Sequence, residues 1–294
     1  MPKGEPLVSI IIPVWNTRES VEKLINELLE QPYRNIEIIA VDDGSTDNSL
    51  QALQGLAKND TRLKVIHQKN AGVSAARNRG IELAAGKYLI FIDSDDQVTA
   101  DFVSSLVEVM EKNSAATLAL TGKTYNKIHE RKSVDTFVQA RRSRRKGELL
   151  SHYVIYLMIL DGRMYSMTSK IFRGEVVRQY NLRLEKGRDF AEDTKFTIDY
   201  LAAQDGEIVF IPRPLYIYNF GTETSLVQKS SLEWENWEKS YQDLEEWARN
   251  DNSGKLDLGT CVLLRLIRLR WHISHYKAKW RAKHKLSSKG SRKP

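Results

Sequence analysis

Apolar positions along the first 120 residues alternate between two spacings. The short runs Leu7–Ile12, Ile36–Val41, Leu63–His67 and Lys87–Ile92 read as strands. Between the first two, Val21, Leu24, Ile25, Leu28 and Leu29 follow i, i+3, i+4, i+7, i+8, one face of a helix that Pro32 ends. A weaker helical stretch carries Leu50, Leu53 and Leu56, an Ala-rich one spans Gly72–Ala85, and Phe102, Val103, Leu106, Val107 and Met110 mark another. This alternation predicts an α/β fold with a doubly wound, mostly parallel sheet, whose ligands gather at the carboxyl ends of the strands.

From residue 123 to 147 the pattern gives way to a polar, basic stretch including Arg141–Lys146, which reads as a solvated loop or mobile lid. Apolar order resumes at Tyr153–Leu160 and Lys170–Phe172, and strands are predicted at Ile208–Ile211 and Leu215–Tyr218. Trp234, Trp237, Tyr241, Leu244 and Ala248 form a helical stripe that reads as core packing. The chain divides into a main domain over 1–226, its halves meeting near 122, and a helical, basic extension over 227–294.

Charge sharpens that division. The net charge is +7, yet residues 255–294 hold 12 Lys and Arg against one Asp, so the remainder is mildly acidic at −4. The basicity is a terminal feature, which argues against nucleic acid as a partner of the main domain. The single cysteine, Cys261, excludes an internal disulfide framework, and no apolar run reaches the roughly 18 residues of a spanning helix. With no apolar leader after Met1, a cytoplasmic protein is expected, either soluble or held at the inner face of the cell membrane. Val262, Leu263, Leu266, Ile267, Leu269 and Ile273 alternate with Arg265, Arg268 and Arg270 beside Trp271 and Trp280. Two readings of that helix stand: peripheral contact with an anionic membrane, or packing on the main domain or in a homo-oligomer.

The chemistry concentrates where strands end. Lys87–Ile92 runs into Asp93, Asp95 and Asp96, three carboxylates within four positions. Like charges so close raise one another's pKa unless a cation neutralises them, which points to Mg²⁺ or Mn²⁺ bridging the protein to a phosphate; the plainer reading is an acidic helix cap. Val41-Asp-Asp-Gly-Ser-Thr-Asp47 leaves one of Asp42 and Asp43 to accept an imide N–H, although Asp-Gly-Ser is also ordinary turn chemistry. Trp15, in Pro13-Val-Trp-Asn16, is placed to stack on a base or to pack in the core. In Asn70-Ala-Gly-Val-Ser-Ala-Ala-Arg-Asn78, Arg77 reads as a phosphate or carboxylate partner, or as a structural brace for Asp93 or Asp95. Glu192 and Asp193 stand in an apolar stretch from Phe190 to Ile198, where desolvation raises a carboxylate toward the range of a general base; a helix N-terminal role is compatible with this.

In this order the five motifs resemble the family 2 glycosyltransferases of the GT-A fold, over roughly residues 6–226. The resemblance implies that Pro13, Val14, Trp15 and Asn16 frame a nucleotide, that Asp43 reads uracil, and that Gly72, Arg77 and Ser94 lie near the donor. Asp93 and Asp95 become the Asp-X-Asp element, with Asp95 toward Mn²⁺ or Mg²⁺ and Asp93 toward the ribose. Asp193 becomes the catalytic base, with Glu192 its neighbour. It implies inverting transfer from a UDP-sugar to a glycan or lipid-linked glycan acceptor of surface polysaccharide synthesis. Two departures stand out: Trp15 replaces the usual tyrosine, and the region before Lys170 lacks a tryptophan that many members carry. A nucleotidyltransferase would need a Gly-rich triphosphate loop after the first strand, and residues 13–19 contain no glycine. A nucleic-acid-binding protein would leave both acidic clusters without a purpose.

Overall fold

A computed structural model describes residues 4–127, 130–135, 166–188, 191–204 and 206–220, together with parts of 238–249 and 264–276. Tyr153–Leu160, Arg141–Lys146, Trp234, Trp237 and the chain beyond residue 276 lie outside them.

The predicted βα alternation is present. β1 (Val8–Val14), β2 (Ile36–Asp42), β3 (Leu63–His67) and β4 (Tyr88–Phe91) alternate with α1 (Arg18–Leu29), α2 (Ser49–Ala57) and α3 (Val73–Leu83). β1 and β2 are buried along their whole length because helices cover both faces of the sheet, which is why neither shows a polar alternation. α1 turns Val21, Leu24, Ile25 and Leu28 inward, each contributing about 1.5–3 kcal/mol by burial. After β5 (Gln97–Val98) and α4 (Phe102–Lys112) come β6 (Ala116–Lys127), β7 (Glu130–Asp135), β8 (Lys170–Arg173), α5 (Gly174–Gln179), α6 (Glu192–Ala202) and β9 (Glu207–Phe220).

The strands form one mixed sheet in the order β3-β2-β1-β4-β8-β6-β9-β5, with β7 paired to β6. β3, β2, β1 and β4 run parallel, and β8 joins antiparallel to β4. The chain moves outward from β1 through β2 to β3, then returns to β4 on the other side of β1, so a topological switch lies between β1 and β4.

Two expectations need correction. The polar stretch from residue 123 does not begin as a loop: β6 continues through Lys127 and β7 follows. Backbone pairing with β9 and β7 holds residues that carry no apolar alternation. The two strands expected within 208–218 are one strand, β9, whose register against β6 slips where Ile211 is followed by Pro212 and Pro214, residues without an amide to donate.

Candidate active site

Because β1, β2 and β4 are parallel, their carboxyl ends bring Trp15–Asn16, Asp43–Asp47 and Asp93–Asp96 to one edge. Pro13 and Val14 are buried in β1, while the Trp15 ring is 45% exposed on that edge. Asn16, in the left-handed region at φ 52°, ties the first two loops together. Its Oδ1 accepts from the amides of Thr46 (2.7 Å) and Asp47 (3.3 Å), and its own amide donates to Ser45 Oγ (3.0 Å). Thr17 Oγ1 donates to the buried Ser94 Oγ at 2.9 Å, closing the switch between β1 and β4.

Asp43 organises the third loop. Its Oδ1 accepts from Gln68 Nε2 (2.7 Å) and the Ala71 amide (2.9 Å), and its Oδ2 from the Gly72 amide (2.8 Å). Gly72 presents that amide at φ 89°, and Gly44 turns at φ 72° with Asn70 so close that a Cβ would clash, so both positions require glycine.

Arg77 is the hub. It is buried in α3, donating through Nη2 to Asp93 Oδ1 (2.7 Å) and through Nη1 to Glu192 Oε1 (2.8 Å). One cation thus joins carboxylates from the end of β4 and the start of α6, 99 residues apart in the chain. Burial opposes the guanidinium charge, but Asp93, Glu192 and Asp193 outweigh it and hold the pKa above the ordinary value. Of the readings of Arg77, the structure shows the carboxylate partner and the brace: it pairs with Asp93 and with Glu192.

The acidic cluster is divided by its partners. Asp96 is buried, accepting from Tyr216 Oη (2.5 Å) and the Asn219 amide (2.9 Å), with its pKa raised well above normal by burial and by Asp93 and Asp95. Asn219 Nδ2 also donates to the Asp95 carbonyl at 2.7 Å, so β9 grips the turn. Asp95 is pushed up to about 6 by burial and then by Asp93, and no described cation offsets this. A divalent ion fits that uncompensated carboxylate. Among the described residues no three His, Cys, Asp or Glu side chains converge as metal ligands.

Glu192 and Asp193 open α6 after Ala191, which holds φ 57°. Asp193 Oδ1 accepts from the Thr194 amide at 2.7 Å. Its pKa is raised to about 7 by burial and by Glu192 and Asp93, against the pull of Arg77. It is a carboxylate poised to take a proton near neutral pH.

Lys123 and Tyr216 were not singled out from the sequence. Lys123 Nζ donates to Thr168 Oγ1 (2.7 Å) and lies 5.2 Å from the centre of the Tyr216 ring. Burial lowers its pKa, opposed by Asp96, Asp93 and Asp193, so a basic side chain of β6 faces the acidic cluster. A lysine in a polar strand carries no motif, and only its pairing beside β9 shows its place.

Comparison with known proteins identifies the family and the fold. Residues 9–171 match the family model for glycosyl transferase family 2. The chain is 35% identical over 247 residues to the uncharacterized glycosyltransferase EpsJ of Bacillus subtilis, covering 81% of this chain and 68% of that one. Its fold matches S. aureus TarS 1–349 in complex with UDP-GlcNAc (TM-score 0.61, 18% identity, 94% of this chain and 91% of that one). It also matches the mannosyltransferase PcManGT of Pyrobaculum calidifontis in complex with GDP-Man and Mn²⁺ (TM-score 0.62, 15% identity, 100% and 78%). The chain belongs to glycosyltransferase family 2, and its fold is the GT-A architecture of glycosyltransferases.

Proposed function

We propose that this glycosyltransferase moves a sugar from a UDP-sugar to a hydroxyl of a glycan or lipid-linked glycan acceptor, with inversion, in surface polysaccharide synthesis on the cytoplasmic side of the membrane. The observation that carries the reading is the Arg77 bridge, which sets the base-bearing start of α6 against the Asp-X-Asp turn. Glu192 is engaged by Arg77, so Asp193, with its pKa near 7, takes the proton of the attacking hydroxyl. With one base and no enzyme nucleophile, the acceptor oxygen attacks the anomeric carbon from the face opposite the nucleotide as Asp193 takes its proton, and the bond to the diphosphate oxygen breaks with its electron pair, so an α-linked donor gives a β-glycoside.

Uridine is supported by Asp43. A carboxylate offers about four acceptor positions, and the described donors use three, leaving one for an imide N–H. Trp15 supplies an exposed face at the same edge for stacking. The structural relative that holds UDP-GlcNAc favours the same base, and the relative that holds Mn²⁺ favours a metal. Asp95, with Asp93 beside it, would hold Mn²⁺ or Mg²⁺, which when bound supplies positive charge for the departing diphosphate. Asp93 is oriented by Arg77 toward the ribose, and Ser94, Pro13, Val14, Asn16 and Gly72 set the shape of the nucleotide cleft.

The test is release of UDP from a panel of UDP-sugars, with GDP-sugars alongside, in the presence of Mn²⁺, Mg²⁺ or EDTA, and NMR assignment of the product anomer. Turnover only with GDP-sugars, or retention of configuration, would overturn the reading.

A further inference from the structure

The helical residues within 264–276 present two opposite apolar faces. Leu264 (2% exposed) and Ile267 (0%) are buried, with Tyr241, in the core cluster that also contains Phe91 and Phe196. Arg268 Nη2 pairs with Glu238 Oε1 at 2.6 Å, and its guanidinium lies 5.0 Å from the Tyr241 ring. Packing on the main domain is therefore real, and it uses one face only. Leu266, Leu269, Ile273 and Tyr276 follow i, i+3, i+7, i+10 and face outward, exposed from 46% at Ile273 to 70% at Tyr276. Four large apolar side chains on one exposed arc are more than a packed helix needs.

We propose that this outer face is a docking surface for an anionic lipid bilayer. Charge complementarity selects that occupant. Residues 255–294 carry 12 Lys and Arg against one Asp, and the exposed Arg265 stands at the edge of the apolar arc. A second copy of the chain seated on the same face would set the exposed Arg265 of each copy against an equally basic segment. An anionic surface gains from the same charges, and aliphatic side chains with a tyrosine suit the boundary between headgroups and acyl chains. The buried face ties the helix to the core of the main domain, so the active site would be held at a set distance from the membrane, where a lipid-linked acceptor resides. The docking itself is independent of the donor and of the acceptor reading, since it requires no sugar.

Flotation of the full chain with phosphatidylcholine vesicles, with and without phosphatidylglycerol, tests this directly. Binding should be at least about tenfold tighter to the anionic vesicles and be released by salt. The variant L266Q/L269Q/I273Q changes only exposed positions; it should keep the parental circular dichroism spectrum and UDP affinity and lose binding by about tenfold or more. Equal binding of parent and variant, equal binding to neutral vesicles, or no binding at all would overturn the proposal. So would a dimer of the parent that the variant abolishes, which would assign the face to a second copy.

Discussion

Replacing Arg77 by Met tests whether the bridge holds the two halves of the site together. The arginine side chain is 5% exposed, Glu192 is 15% and Asp93 30% exposed. Removing one partner of a buried ion pair costs about 3–5 kcal/mol because the other charge is left uncompensated. Here two carboxylates are orphaned, but the exposure of Asp93 lets water recover part of its share, so about 3 kcal/mol is expected. At roughly 2–4 °C per kcal/mol for a domain of this size, the melting midpoint should fall by about 6–12 °C. Arg79→Met is the matched control. It lies on the same helix and pairs with Glu82 at 2.9 Å, but both side chains are about half exposed (46% and 48%), so its loss should cost under about 0.5 kcal/mol. Thermal melts and urea titrations of both variants measure the difference. Adding Glu192→Gln to Arg77→Met should recover part of the loss by removing one orphaned charge. Arg77→Met melting within about 2 °C of the parent, or no lower than Arg79→Met, would refute the buried bridge.

Asp95→Ala should reduce sugar transfer by about 10²-fold or more without unfolding the chain, and parental activity undiminished in EDTA would show that no divalent ion is used there. With Asp193 raised to about 7, the base is protonated below that pH and ionised above it. kcat/KM should thus rise about tenfold per pH unit toward 7 and level off beyond; a profile still flat near pH 4–5, the ordinary carboxylate range, would contradict this. Lys123→Met tests whether the amine facing Asp96, Asp93 and Asp193 carries charge: removing a charged Lys123 moves the acidic limb of that profile to higher pH, with Lys123→Arg restoring most of it, and an unmoved limb assigns Lys123 to packing alone.

The parallel half of the sheet was legible because its signals are local. Buried strands such as Ile36–Val41 are continuous apolar runs, and the α1 stripe repeats at helical spacing, so period alone places them. The acidic turn was legible too, since three carboxylates in four residues is an uncommon local density. What joins the motifs was not. Arg77 reaches Glu192 across 115 positions, and Tyr216 and Asn219 reach Asp96 from a strand with no distinguishing pattern. β6 was missed beyond residue 122 because its order comes from pairing with β9 rather than from burial. The tail helix left two readings because spacing cannot tell a face packed on protein from one presented outward, and the structure shows one of each at Ile267 and Leu269.

The central proposal is that Asp193 is the base of a transferase whose nucleotide binds at the ends of β1, β2 and β4, on the far side of the Arg77 bridge. Asp193→Asn keeps the size and polarity of the side chain but cannot accept the proton. Single-turnover transfer measured beside UDP affinity by calorimetry should show the rate falling by about 10²–10⁴ while affinity stays within about threefold of the parent. Parental turnover in this variant, or a loss of UDP affinity that parallels the loss of rate, would contradict the account.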